Sequence, residues 1–350
     1  MGKRPGRVGG LDVLRGCAAA AVMLHHHGQY YDVLYPGRTP LSVDLGAGHF
    51  GVELFFIISG FVILMTIERK KTILDFAISR TARLMPAFLV ALLLATAILI
   101  VQPMPPNLDT PTPRQFLANL TMAPSLLGET AVDMPYWTLT YELVFYGFMA
   151  FALYFSLLRP IEWLGLLAMA VGLLFWATMD VQLHRRSSIL LLVQYSNFFL
   201  IGICLYRIHA RTARPVTYLA LACAIAVTAL GGAERAFYAP GKIYLPLTIA
   251  FATLVWFAAS RHGHWLVSAP MVFLGRISYS LYLVHVVVGF QVIRMGVERG
   301  WSTLTGVIAA GLASIGVAVL VHYLVEAPGQ RWVQGLIKVP AEPARIRPTG

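Results

Sequence analysis

The chain has 350 residues, of which 58% are hydrophobic and only 12% charged. Soluble domains carry about 25% charged residues, so this composition excludes an ordinary soluble globular protein and indicates one that lives in a bilayer. The net charge of +11 has to be weighed against membrane topology before nucleic-acid binding, because basic loops also set orientation.

Lys3, Arg4 and Arg7 precede the first apolar run, Leu11 to Leu24, an arrangement that also opens signal peptides. No small-residue cleavage site follows. The next residues are His25, His26, His27 and Tyr30-Tyr31, so the run is read as an uncleaved first span. Hydropathy then predicts ten membrane helices, at about 11–30, 49–67, 84–101, 137–157, 163–180, 188–206, 216–231, 243–260, 271–293 and 303–325. The expected fold is therefore an all-α polytopic membrane bundle, a single domain over 1–335 followed by a disordered tail over 336–350. With the N-terminus inside, nineteen Lys and Arg fall on the inner side and eight on the outer. This bias places both termini in the cytoplasm and makes the positive charge topological, so no nucleic-acid partner is expected. One connection is long, Gln102 to Tyr136, proline-rich and outside; such a segment is a functional loop or lid, or a plain linker. Cys17, Cys204 and Cys223 lie in apolar runs without CxxC spacing and read as small buried residues. No internal repeat is found.

Ionisable groups at membrane depth cost free energy and mark functional interiors. Eleven residues separate Arg15 from His26, about 1100° of helix, so the two share one stripe roughly 16 Å apart. His25 falls about 80° and His27 about 120° off that face, which makes a metal site from the triplet alone geometrically poor. The plain alternative for His26 is a core histidine bonded to a neighbouring helix. His27 and Asp32 also fit the short HxxxxD pattern of soluble glycerolipid acyltransferases, without that family's later motifs. Glu53 in the second span and Glu142 in the fourth lie near the outer level that His26 reaches, where they could orient or charge-balance an imidazole or simply bond neighbouring helices. Arg80 and Arg83, spaced i, i+3, share a helix face and could clamp phosphates, or serve as ordinary basic residues at the inner boundary. Ser278, Tyr282 and His285 share a face of the ninth span, and His322 and Glu326 form an i, i+4 pair at the end of the last.

Taken in order, these positions resemble the membrane-bound acyltransferase family 3, whose members decorate bacterial surface sugars, Nod factors and some macrolide sugars. The opening pattern GLxxLRGxAAxxVxxxH lies at Gly10-Leu11-Asp12-Val13-Leu14-Arg15-Gly16 running to His26. GVxLFFxxSGF is Gly51 to Phe61, and FxxxRxxRxxP is Phe76, Arg80, Arg83 and Pro86. WxLxxExxFY is Trp137, Leu139, Glu142, Phe145 and Tyr146; SYSLYLxH is Ser278 to His285; ExP is Glu326 to Pro328. The resemblance implies transfer of an acyl group, usually acetyl, from cytoplasmic acyl-CoA to a hydroxyl of a carbohydrate or glycolipid acceptor in the bacterial cytoplasmic (inner) membrane. It makes the first-helix histidine catalytic, with Glu142, Glu53 and Arg15 beside it, Arg80 and Arg83 receiving the acyl-CoA, and no metal. His25, His285, Tyr282, Ser278 and Glu326 are the secondary candidates. Many members carry Asp where this chain has Glu53, and the triple histidine leaves His25 as the rival of His26. Oligomeric state is left open, a homo-oligomer included.

Two rivals stand beside this expectation. A proton-coupled transporter of a small solute would also use buried His and Glu, and would be expected to carry an inverted repeat. The other large class of membrane acyltransferases, which pairs a membrane His with an Asn, would make His285 primary.

Overall fold

Backbone polar groups in lipid must be satisfied within the chain, and long apolar segments achieve this as helix. The computed structural model describes residues 8–34, 41, 43–70, 72–103, 108–180, 183–230 and 243–335. Among these it contains α1 (Gly9–Leu34), α2 (Gly51–Ile67), α3 (Ile73–Val101), α4 (Pro113–Asn119), α5 (Trp137–Tyr154), α6 (Ile161–Thr178), α7 (Arg185–Leu190), α8 (Ser196–His209), α9 (Pro215–Leu230), α10 (Tyr244–Ala259), α11 (Ala269–Glu298), α12 (Thr303–Val321) and α13 (Ala327–Gly335). Among the described residues five helical stretches, against the ten spans expected, are long and apolar enough to cross a membrane: Gly46–Ile67, Ile73–Val101, Ile161–Thr178, Ala269–Glu298 and Thr303–Gly335. Pro215–Ala229 and Tyr244–Ala259 are apolar but shorter.

Three differences from the sequence reading have local causes. The stretch 188–206 is two helices rather than one. After α7 the backbone closes through Leu192 N–H to Ile189 O and Val193 N–H to Ser188 O, both 3.0 Å, with Leu192 left-handed at φ +51°. That is the terminating pattern usually built on glycine, and an apolar run does not reveal it. Helix α3 starts at Ile73, capped by Thr72 Oγ1, which accepts from Asp75 N–H at 3.0 Å. The added turns carry Arg80 and Arg83 inside the helix, and Pro86 does not end it. Cys17 is exposed, whereas Cys204 is buried and Cys223 intermediate; Gly16 takes the face of α1 that packs inward, which leaves its neighbour outside. The tail 336–350 lies outside the described residues.

The connection from Gln102 to Tyr136 is packed over most of its length. Asn119 is fully buried and ties its two halves together, donating to Thr130 O at 3.0 Å and accepting from Val132 N–H at 3.0 Å. Leu108, Met122, Val132 and Tyr136 sit in the core. Asp133 is fully buried, and one of its oxygens accepts from Met134 N–H at 2.8 Å. At the opposite end of the bundle Arg207 bridges Glu68 at 2.6 Å and the Leu158 carbonyl at 2.5 Å, and Arg214 bonds Glu162 at 2.9 Å. The ends of α2, α5 and α8 are thereby held together.

The contact that positions the site is α1 against α11. Without lipid-excluded hydrophobic gain, membrane helices associate through close backbone packing at small residues. A Cβ on Gly16 would lie 2.6 Å from the Gly275 nitrogen, and one on Gly275 would strike the Asp12 carbonyl oxygen. Neither obstruction is a side chain that can move aside.

Two outcomes follow. Gly275→Ala should wedge α1 from α11 and cost about 1–3 kcal/mol, read as a lowered unfolding midpoint; an unchanged midpoint would contradict the packing. Burial pushes the Asp133 carboxyl up to about 7, against the opposing N–H of Met134. The folded state therefore keeps a proton that the unfolded chain sheds near pH 4, and stability declines as pH rises from about 4 through 7. Thermal unfolding measured from pH 4 to 8 should show this decline in the parent and a flattened one in Asp133→Asn.

Candidate active site

Successive helical residues point 100° apart, and the three histidines of α1 accordingly make three different contacts, two of them with His285. His25 turns toward the short 3-10 helix Gly46–Phe50 and lies 5.4 Å, ring to ring, from His49. His49 donates from Nδ1 to Gly46 O at 2.7 Å. His27 is fully buried and donates from Nε2 to the backbone carbonyl of His285 at 2.8 Å. Its ring occupies the space a side chain at Gly289 would need. His26 meets the ring of His285 itself, Nδ1 to Nε2 at 2.9 Å.

Hydrogen-bond bookkeeping assigns the protons in that last pair. His285 Nδ1 faces two backbone carbonyls, Tyr282 O at 2.9 Å and Leu281 O at 3.2 Å. Carbonyls only accept, so Nδ1 carries the hydrogen and the neutral ring keeps its lone pair on Nε2. That lone pair can only accept from His26, whose Nδ1 therefore carries a hydrogen. The basic lone pair of His26 is left on Nε2, the far corner of the ring.

Tyr282 links this chain to a cavity. Its hydroxyl donates to Pro135 O at 3.1 Å and lies 2.8 Å from Thr138 Oγ1, and its ring is 5.8 Å from that of His285. Tyr282 also lines a small, open-mouthed cavity of about 70 Å³ with Arg15, Arg83, Glu142, Ser59 and Ser278. Glu142 accepts from Ser59 at 3.1 Å and from the Tyr146 hydroxyl, and it lies within electrostatic range of Arg15 and Arg80. Arg15 and Arg83 thus line the hollow, with Arg80 behind its wall and Glu142 the carboxylate on it, which leaves a surplus of positive charge around a partly apolar space. Such a hollow suits a ligand with an anionic head and an apolar arm.

The remaining residues singled out from sequence fall as follows. Arg80 bonds Tyr146 and stands 5.8 Å over the Phe76 ring rather than on the cavity wall. Glu53 is buried within electrostatic range of Tyr282. Ser278 lines the cavity while bonding Gly275 O at 3.0 Å. Glu326 receives Ser280 at 2.6 Å and His322 at 3.0 Å across a π-helical turn, a lock between α11 and the end of α12. His26 does not line the cavity; Tyr282 stands between them. No cluster of three or more His, Cys, Asp or Glu among the described residues is placed to hold a metal. Sequence reasoning missed the pairing of His26 with His285, the contact of His27 with the α11 backbone, and Thr138. Ser59 and Tyr146 sit inside matched motifs and were findable there.

Acyltransferase MdmB of Streptomyces mycarofaciens is 26% identical over 369 aligned positions, covering 95% of this chain and 94% of the relative. No solved structure matches. A family model described as an acyltransferase domain matches residues 8–323. This chain belongs to the acyltransferase 3 family.

Proposed function

We propose that the protein is a multi-pass O-acyltransferase of the bacterial cytoplasmic membrane. It moves an acyl group, by default acetyl, from cytoplasmic acyl-CoA to a hydroxyl of a glycan or glycoconjugate. The observation that carries this reading is the His26 Nδ1–His285 Nε2 distance of 2.9 Å, with His285 Nδ1 facing the Tyr282 carbonyl, from which a lone pair on His26 Nε2 follows. A neutral imidazole presented this way is a general base, worth about 10²–10⁴-fold.

In this mechanism the phosphates of acyl-CoA dock on Arg83 and Arg80, with Arg15 deeper in the cavity, and the thioester arm extends along the α1 stripe toward His26. His26 Nε2 takes the acceptor hydroxyl proton as that oxygen attacks the thioester carbonyl. The carbon–sulfur bond breaks, and the departing thiolate takes up the proton from His26, leaving an ester and a free thiol. Arg15 supports the developing negative charge. His285 is a positioning residue: it holds His26 in one tautomer as the carboxylate of a Ser-His-Asp triad holds its imidazole. Glu142 is the counter-charge of the arginines, and Glu53 acts through Tyr282. Both termini lie inside, an orientation supported by the nineteen-to-eight charge bias.

Thiol release from acetyl-CoA with acceptor present tests these roles. His26→Ala should lose about 10²–10⁴-fold in rate and His25→Ala should stay within a few-fold of the parent; an active His26→Ala beside a dead His25→Ala would overturn the assignment. His285→Ala should lose at least tenfold, and His285→Gln, whose amide oxygen still accepts from His26, should recover part of it. A purely structural role would give no such rescue. Arg83→Gln should raise the KM for acetyl-CoA roughly tenfold, the cost of one charged hydrogen bond, with a smaller change in kcat.

A further inference from the structure

The first two turns of α5 separate two hollows. Thr138, Leu139 and Glu142 line the arginine cavity, whereas Trp137 and Tyr141, on the other side of the same turns, line a second one. The second encloses about 300 Å³, at the lower end of the range of about 300–1,000 Å³ common for small-molecule sites. Three other segments complete its wall: Ser125 from the packed connection, Arg185 and Ser188 from α7, and Gln194 from the break between α7 and α8. That break, invisible in the apolar run, brings Gln194 into position.

The polar groups here have unused bonding capacity. Tyr141 donates to the Gln194 carboxamide oxygen at 3.0 Å, so the Gln194 Nε2 is turned to the remaining direction, where it has no hydrogen-bond partner among the described residues. The Ser125 hydroxyl and the Arg185 guanidinium likewise have no side-chain partner among the described residues, although Ser125 is only 8% exposed. Trp137 and Tyr141 meet edge to face, 5.8 Å between centroids, as the aromatic wall. Donors from an amide, a guanidinium and a hydroxyl, set around aromatic rings, match a ligand with many hydroxyls on one edge and C–H groups on its face. That ligand is a sugar ring. An acyl or lipid chain would leave the buried Ser125 hydroxyl unsatisfied at a cost of about 1–3 kcal/mol and would not use the amide or the guanidinium.

We propose that this pocket, formed by Ser125, Trp137, Tyr141, Arg185 and Gln194, is a saccharide subsite that holds a sugar unit of the acceptor other than the one bearing the reacting hydroxyl. The proposal deepens the acyltransferase reading and rests on it for the word acceptor. Saccharide binding itself can be measured without turnover.

The test uses the full-length purified protein and a panel of methyl glycosides of hexoses and 6-deoxyhexoses, with binding followed by saturation-transfer difference NMR. The variant is Ser125→Ala with Gln194→Glu, which keeps an oxygen for Tyr141 while removing two donors. At least one glycoside should bind the parent, and its Kd should rise at least tenfold in the variant. Acetyl-CoA binding, measured in parallel, should be unchanged. Absence of any glycoside signal in the parent, or equal affinity in parent and variant, overturns the subsite. Failure of the parent to release thiol from acetyl-CoA in the presence of the bound glycoside would instead count against the acyltransferase mechanism, and the binding result would stand apart from it.

Discussion

The hydrogen bond from His26 to His285 is the constraint on which the rest of the site depends. It joins residues 259 positions apart, so it exists only if α1 and α11 lie in close contact and correct register. Gly16 and Gly275 permit the approach at one level, and Gly289 makes room for His27 at another. His27 donates to the backbone of the very residue whose ring His26 contacts, which fixes helix position and ring position together. A triplet of histidines is thus three separate fastenings: one to the 3-10 turn before α2, one to an imidazole and one to a main chain.

The surrounding charges are arranged by the same logic. An arginine set among packed helices is costly without counter-charge, and Arg15 is accommodated because Asp12 and Glu142 lie within range and a cavity opens beside it. The carboxylate of Glu142 is spoken for by Ser59, Tyr146 and the arginines. In the proposed mechanism its role is therefore electrostatic, while orientation of the base falls to His285. Helix α5 divides the arginine-lined hollow from the aromatic and amide-lined one.

Much of this was legible in the sequence, for identifiable reasons. Helices with sustained apolar runs, α2, α3 and α11, declare themselves because burial and lipid exposure demand the same residues throughout. Helix phase singled out His26 from its neighbours, and the neighbours do point elsewhere. What the sequence withheld was tertiary. The phase of α1 says where His26 faces but not that an imidazole faces it, and His285 looked like a second isolated histidine on its own helix. The break at Leu192 depends on a backbone conformation that leucine seldom adopts, so an apolar run concealed both the end of α7 and the placement of Gln194. The connection before α5 read as a loose proline-rich loop because its order comes from Asn119 and from buried contacts distant in sequence.

The account stands or falls on which nitrogen of His26 holds the hydrogen. Ring-¹⁵N-labelled protein, compared with a His26→Gln variant to assign the signal, reports this directly. The prediction is that His26 is neutral near pH 7 with Nδ1 protonated and Nε2 bare, and that His285→Ala abolishes this preference. A His26 protonated on Nε2, with its lone pair on Nδ1 facing His285, would contradict it.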